Sequence, residues 1–164
     1  MPRLSKSVLA LIAAGASALT IATQFISEEE GLSLQAYQDG ARVWTICYGH
    51  TGDVQPDDVM TPEQCEAWLK TDVGIAFATV DKVVKVPLRE TTRAAITSWF
   101  FNLGGGRAAR QSTLIAKLNG GDIEGACNEI PRWHYAGGKD CLVRANQCYG
   151  VVERRERERL LCLL

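Results

Sequence analysis

The stretch EGLSLQAYQDGARVWTICYGHT, residues 30–51, decides how the rest of the chain is read. Ahead of it, Ile26 and Glu28 to Glu30 with Leu32 and Leu34 suggest the last turns of a helix running into a loop over 28–35, with Gly31 at the bend. After it, Val43, Trp44, Thr45, Ile46, Cys47 and Tyr48 are β-formers between Asp39-Gly40 and Gly49, Gly52 and Asp53, so 41–50 reads as short hairpin strands. Glu30 and Asp39 stand nine positions apart across the bend, and Thr45 follows six later. Two carboxylates and a hydroxyl are thereby offered to one cleft. Such a pair suits glycoside hydrolysis, in which one acid protonates the departing oxygen while the other stays ionised to orient a water or meet developing positive charge. Taken alone, two acids in an acidic stretch read equally well as a solvated face.

Working outward, Thr61-Pro62-Glu63-Gln64 is a helix start, with Thr61 as N-cap, Pro62 where its missing N–H costs nothing, and Gln64 completing a capping box. Trp68, Leu69, Val73, Ile75, Ala76, Val80 and Val83 then mark a long connecting helix, stopped by Pro87. Glu90 to Leu103 is a strongly apolar helix ended by three glycines, the expected central core helix. Shorter helices are expected at 112–118, 123–130 and 151–163. The fold class is α+β: residues 27–60 form a small β-containing part, 61–84 the connecting helix, and 85–164 an all-helical lobe.

With 164 residues the chain has room for one such unit and no second module. Its net charge of −1 hides an asymmetry, because 27–83 carries net −8 and 84–164 net +5. A basic half can steer anionic polymers, but no stripe of basic residues interleaved with stacking aromatics marks a nucleic-acid surface.

Residues 1–26 stand apart. Arg3 and Lys6 precede Val8 to Ile26, a run of 19 residues without a charge, which as one helix spans about 29 Å, the thickness of a bilayer core. Its many Ala, Gly, Ser and Thr residues gain little from lipid, so any membrane hold is weak. The flanking charges predict an amino terminus left in the cytoplasm and an exported remainder. An uncleaved anchor that later slips out, an ordinary signal peptide cleaved near Ala16-Ser17-Ala18, a permanent anchor and a buried core helix all remain open.

Six cysteines, all beyond this run, agree with an oxidising compartment. Keeping each bridge within one lobe pairs Cys47 with Cys65, Cys127 with Cys162, and Cys141 with Cys148. No CxxC or HxxxH spacing suggests zinc.

The register E-x8-D-x5-T, with Glu30-Gly31-x-x-Leu34-x-x-Tyr37-x-Asp39 and then Thr45-x-x-x-Gly49-His50, resembles the phage-type lysozyme signature. Phe101-Asn102-Leu103-Gly104, Ser112-Thr113-Leu114, Trp133 to Lys139 and Arg154-Arg155-x-x-Glu158 are similar to later segments of that family, so the resemblance covers about 28–163. It implies a lysozyme-like fold and a muramidase that cuts the β-1,4 bond between N-acetylmuramic acid and N-acetylglucosamine. By matched position it implies Glu30 as general acid and Asp39 and Thr45 as holders of the attacking water, with inversion, no cofactor and no metal.

Tyr37 and Trp44 are candidate glycan-groove aromatics, Trp44 equally a core residue. Glu28 and Glu29 are read as solvated or capping charges, and His50 and His134 as structural. The weakly apolar leader resembles that of signal-anchor-release endolysins. This implies a monomer that engages the host export machinery and, transiently, the inner membrane before acting on peptidoglycan in the periplasm, with a phage holin as indirect partner. No cysteine lies in 1–26, so a lock on the tethered form is topological or uses the later six. Two rivals are an exported wall-binding protein without catalysis, and an amidase or peptidase using Cys47 with His50. The second is weak because residues three apart on a strand face opposite sides.

Overall fold

The computed structural model describes residues 2–164, so Met1, the first residue of the apolar leader, lies outside the described residues. The leader is not one helix. It folds as α1 (Lys6–Ala13) and α2 (Ala18–Glu30), N-capped by the hydroxyls of Ser5 and Ser17. Between them Gly15 takes φ 71°, with Gly15 N–H donating to Ile12 O and Ala16 N–H to Leu11 O, both at 3.0 Å. This pair of bonds is a Schellman stop, which needs the left-handed residue that glycine supplies. Among the described residues no helix is long and apolar enough to cross a membrane.

Ala18, Ile21, Ala22, Phe25 and Ile26 recur at helical spacing and are buried, with Val8 of α1, in the main core. Thr20, Thr23, Gln24 and Ser27 fall outside that stripe. The polar residues that weaken membrane insertion are thus the ones a soluble helix leaves at its surface.

After Gly31 (φ 69°) comes a three-stranded antiparallel sheet, β1 (Ser33–Gln38), β2 (Trp44–Cys47) and β3 (His50–Thr51), in the order β1-β2-β3. The register sets Tyr37 opposite Thr45, Gln38 opposite Trp44, and Ile46 opposite His50. The first half of β1 occupies residues read from sequence as helix end and loop. None of the strand's residues is buried and its half-buried ones, Ser33 and Ala36, do not alternate, while its outer edge is covered by the chain at 58–60, where Ala36 N–H reaches Asp58 O and Met60 N–H reaches Leu34 O. Ile46, Cys47, Val54 and Cys65 make a second, smaller core beneath the sheet.

α3 (Pro62–Val83) begins with the full capping box of Thr61 and Gln64. It touches the small core through Cys65 and Trp68 and the main core through Leu69, Val73, Ala76 and Val80. α4 (Glu90–Leu103) runs through the main core with nine buried residues, and Gly104 ends it at φ 73°. α5 (Arg107–Arg110), α6 (Thr113–Asn119), α7 (Ile123–Cys127), a 3-10 turn over 130–132 and α8 (Tyr149–Leu163) complete the larger half. That half is not all helical. β4 (Tyr135–Ala136) and β5 (Lys139–Asp140) form a hairpin whose two turn residues, Gly137 and Gly138, both take positive φ.

Disulfides join Cys47 to Cys65, Cys127 to Cys162, and Cys141 to Cys148. They fasten the sheet to α3, α7 to α8, and the ends of the loop that follows β5. Each contributes about 2 to 4 kcal/mol, chiefly by restricting the unfolded chain.

Candidate active site

Glu30 is the last residue of α2, and its carboxylate is shared between two elements. Oε1 accepts a hydrogen bond from Arg154 Nη1 of α8 at 2.5 Å. Oε2 lies against Gly49, at the turn between β2 and β3, where a Cβ would stand 3.2 Å away. Gly49 has φ 80°, so any side chain there would strain the backbone and also press on the acid. The Glu30 side chain keeps 20 % of its surface open, enough for a reactant to reach it.

Arg154 is itself held. Its Nε donates to Glu158 Oε1 at 3.1 Å and its Nη2 to Ser98 Oγ at 3.4 Å. Glu158 is fully buried, accepts from Ser98 Oγ at 2.7 Å, and pairs with Arg155, which also reaches Asn102 Oδ1 and the Trp133 carbonyl. Burial works against the Arg154 charge, but Glu158 and then Glu30 outweigh it and hold the guanidinium above its ordinary value. Each buried charge therefore has a partner, as the cost of burying a lone one requires. The R-R-x-x-E segment supplies this network; sequence reading quoted it without giving Arg154 a role.

Asp39 and Thr45 sit at one end of the β1–β2 pair, Asp39 one residue beyond the Gln38–Trp44 rung and Thr45 one residue inside it. Asp39 Oδ1 accepts from Ala41 N–H at 2.8 Å and Val43 N–H at 2.9 Å, which closes the turn. Thr45, 3 % exposed, donates its hydroxyl to Val43 O at 3.0 Å. The same carbonyl receives Asp39 N–H, so Val43 ties the two side chains' positions together.

A cavity of about 260 Å³ opens between the sheet, α3 and the end of α4, lined by Gly49, His50, Asp72, Thr79 and Phe101 among others; Glu30 adjoins it through Gly49, and Asp39 and Thr45 do not line it. His50 Nδ1 meets Asp72 Oδ2 at 2.6 Å and its ring lies 4.3 Å from that of Trp68. Tyr37 is exposed on β1, whereas Trp44 packs against the small core. Cys47 is bonded to Cys65 and has no thiol, which removes the nucleophile that the Cys47–His50 alternative requires.

The three glutamates before Gly31 have separate partners. Glu28 accepts from Ser5 Oγ at 2.9 Å and from Gln24 Nε2 at 2.7 Å. Glu29, whose side chain is only 9 % exposed, forms a two-point pair with Arg157 of α8, from Nε at 2.5 Å and from Nη2 at 2.7 Å. Its expected role as a solvated charge is corrected by that pairing, which sequence could not show across 128 positions.

The phage lysozyme family model matches residues 27–158. A SAR-endolysin of Escherichia phage 933W is 45 % identical over 163 aligned residues, covering 96 % of this chain and 92 % of its own. Among solved structures, the endolysin of Escherichia coli O157:H7 phage FAHEc1 superposes with a TM-score of 0.74 at 33 % identity, covering 87 % of this chain and 90 % of that one. The active form of P1 phage endolysin Lyz has the same fold, with a TM-score of 0.76 at 24 % identity over 99 % of this chain and 96 % of that one. The chain belongs to the phage lysozyme family, glycoside hydrolases of lysozyme type that act on peptidoglycan as phage endolysins.

Proposed function

We propose that this endolysin cleaves the β-1,4 bond between N-acetylmuramic acid and N-acetylglucosamine with Glu30 as general acid. The observation that carries the reading is the placement of Glu30: partly open, with Arg154 on one oxygen and, against the other, the Gly49 turn that lines the cavity. Protonated Glu30 delivers its proton to the glycosidic oxygen. Asp39 keeps Oδ2 outside the turn's hydrogen bonds and uses it to hold a water, and Thr45 accepts a hydrogen bond from the same water while donating to Val43. Attack on the face opposite the leaving group inverts the anomeric centre, the outcome expected when the carboxyl groups leave room for a water. Tyr37 offers its exposed ring to a sugar face.

The protein acts as a monomer in the periplasm. Residues 1–26 carry it through the export machinery, amino terminus inward, and tether it to the inner membrane until a holin dissipates the membrane potential. Only three residues separate Ile26 from Glu30, so while the leader is in lipid α2 cannot take its place against α3 and α4, with its last turn on α8, and the site is incomplete. The lysozyme unit is residues 27–164 in sequence, but its released core also includes Val8, Ala18, Ile21, Ala22, Phe25 and Ile26, which supports coupling between release and activity.

The test is turbidity clearing of chloroform-treated Gram-negative cells, with reducing-end and anomer analysis of the products. Wild type should clear the cells, liberate muramic acid reducing ends and give the α anomer first. Glu30→Gln should be inactive with an unchanged fold. Equal clearing by the two proteins, or peptide ends without glycan ends, would remove the assignment.

A further inference from the structure

We infer that the Glu29–Arg157 pair, which ties the last turn of α2 to α8, is a positioning clamp for the catalytic acid. The inference rests on Glu30 being that acid. α2 ends at Glu30, where Gly31 turns the chain away at φ 69°, and a terminal helical turn tends to fray. Arg154 holds Glu30 by one oxygen only. The preceding residue supplies a two-point anchor, Glu29 to Arg157, one turn along α8 from Arg154. Two rungs, 29–157 and 30–154, fix both the axial position and the rotation of the last turn. An Arg–carboxylate fork is well suited to this because its two parallel bonds also fix direction.

The pair also sets the field at Glu30. Arg154 faces it from α8 with Glu158 behind, and the Gly49-His50 turn faces it with His50 engaged by Asp72. Asp39 stands on the sheet side, and Glu28 and Glu29 precede it on α2. Arg157, with Glu153 also nearby, neutralises Glu29; its hydrogen bond to Glu29 is the largest cause holding Arg157 above its ordinary value. Removing Arg157 therefore leaves a negative charge beside Glu30, and removing Glu29 a positive one.

The experiment compares full-length released enzyme with Glu29→Gln, Arg157→Gln and Arg157→Lys, all by reducing-end release across pH, with near-UV circular dichroism and thermal unfolding as fold controls. Displacement of the acid should lower kcat by about 10- to 100-fold, with KM within about two-fold. The alkaline limb of kcat/KM should move in opposite directions, on the order of half a pH unit each way. It should move upward in Arg157→Gln, where an unpaired carboxylate favours protonated Glu30, and downward in Glu29→Gln, where an unpaired cation disfavours it. Arg157→Lys keeps the charge and loses the fork, so it should hold the limb in place while still losing kcat.

A pair that served stability alone would lower the melting temperature and the amount of folded protein, leaving kcat per folded molecule and both limbs unchanged; that result overturns the inference. Shifts of the same sign in both glutamine variants also overturn it. If Glu30→Gln retained activity, the assignment of Glu30 would fail and the clamp with it; if Glu30→Gln is inactive while these variants keep wild-type kcat and limbs, the clamp alone fails.

Discussion

Phe25→Ala and Leu19→Ala change two apolar residues of the same leader, and the fold separates them sharply. Phe25 is 2 % exposed within the main core, whereas Leu19 is 41 % exposed. A phenylalanine buries about 150–250 Å², and the transfer loss with the cavity left behind typically costs about 3–5 kcal/mol. For a chain of 164 residues, at about 2–4 °C per kcal/mol, the melting temperature should fall by about 6–20 °C. Leu19→Ala should cost less than about 1 kcal/mol, because much of the side chain already meets water. The assay is thermal unfolding of the released, disulfide-intact protein, followed by near-UV circular dichroism. In a bilayer both side chains count as apolar and neither is privileged. Equal shifts for the two variants, or a Phe25→Ala shift under about 2 °C, would refute the claim that α2 is a core element of the working enzyme.

Gly49→Ala should lower activity by at least about tenfold while costing only about 1–2 kcal/mol of stability, because it combines a left-handed backbone with a Cβ 3.2 Å from Glu30 Oε2; unchanged kcat by reducing-end assay would contradict this. Glu129 is held below its ordinary value of 4.5, first by the hydrogen bond from Lys117 and then, against the opposing effect of burial, by the charges of Lys117 and Arg132. A depressed folded value means that the pair stabilises above 4.5 and loses its effect as pH falls through that folded value. The melting-temperature gap between wild type and Lys117→Met should therefore be full at neutral pH and shrink below pH 4.5; a gap independent of pH would contradict this.

The proposed site residues, the acids Glu30 and Asp39 with Thr45, could be singled out from sequence because their spacing is short: they lie within one hairpin and its approach. The helix starts at Thr61 and the stop at Gly104 were legible because local chemistry writes them. β1 was not, since its burial does not alternate and its partners include the distant segment 58–60. The Gly137-Gly138 hairpin lies between the helices expected at 123–130 and 151–163, and its two-residue strands are too short to show a period of their own. Arg154 could not be read as the partner of Glu30 across 124 positions. In composition, RRERER looks like a solvated run, yet Arg154, Arg155 and Glu158 are buried because they satisfy one another. The break in the leader had local signals, Gly15 followed by Ser17, that were outweighed by an uncharged run of bilayer length.

The most direct test of the account follows a C-terminally tagged chain in cells before and after a protonophore collapses the membrane potential, measuring fractionation, chain length and muramidase activity together. The account predicts full-length, inactive protein in the membrane fraction that becomes full-length, soluble and active after depolarisation. Activity already present in the membrane fraction, or a soluble active form that begins near Leu19, would contradict it.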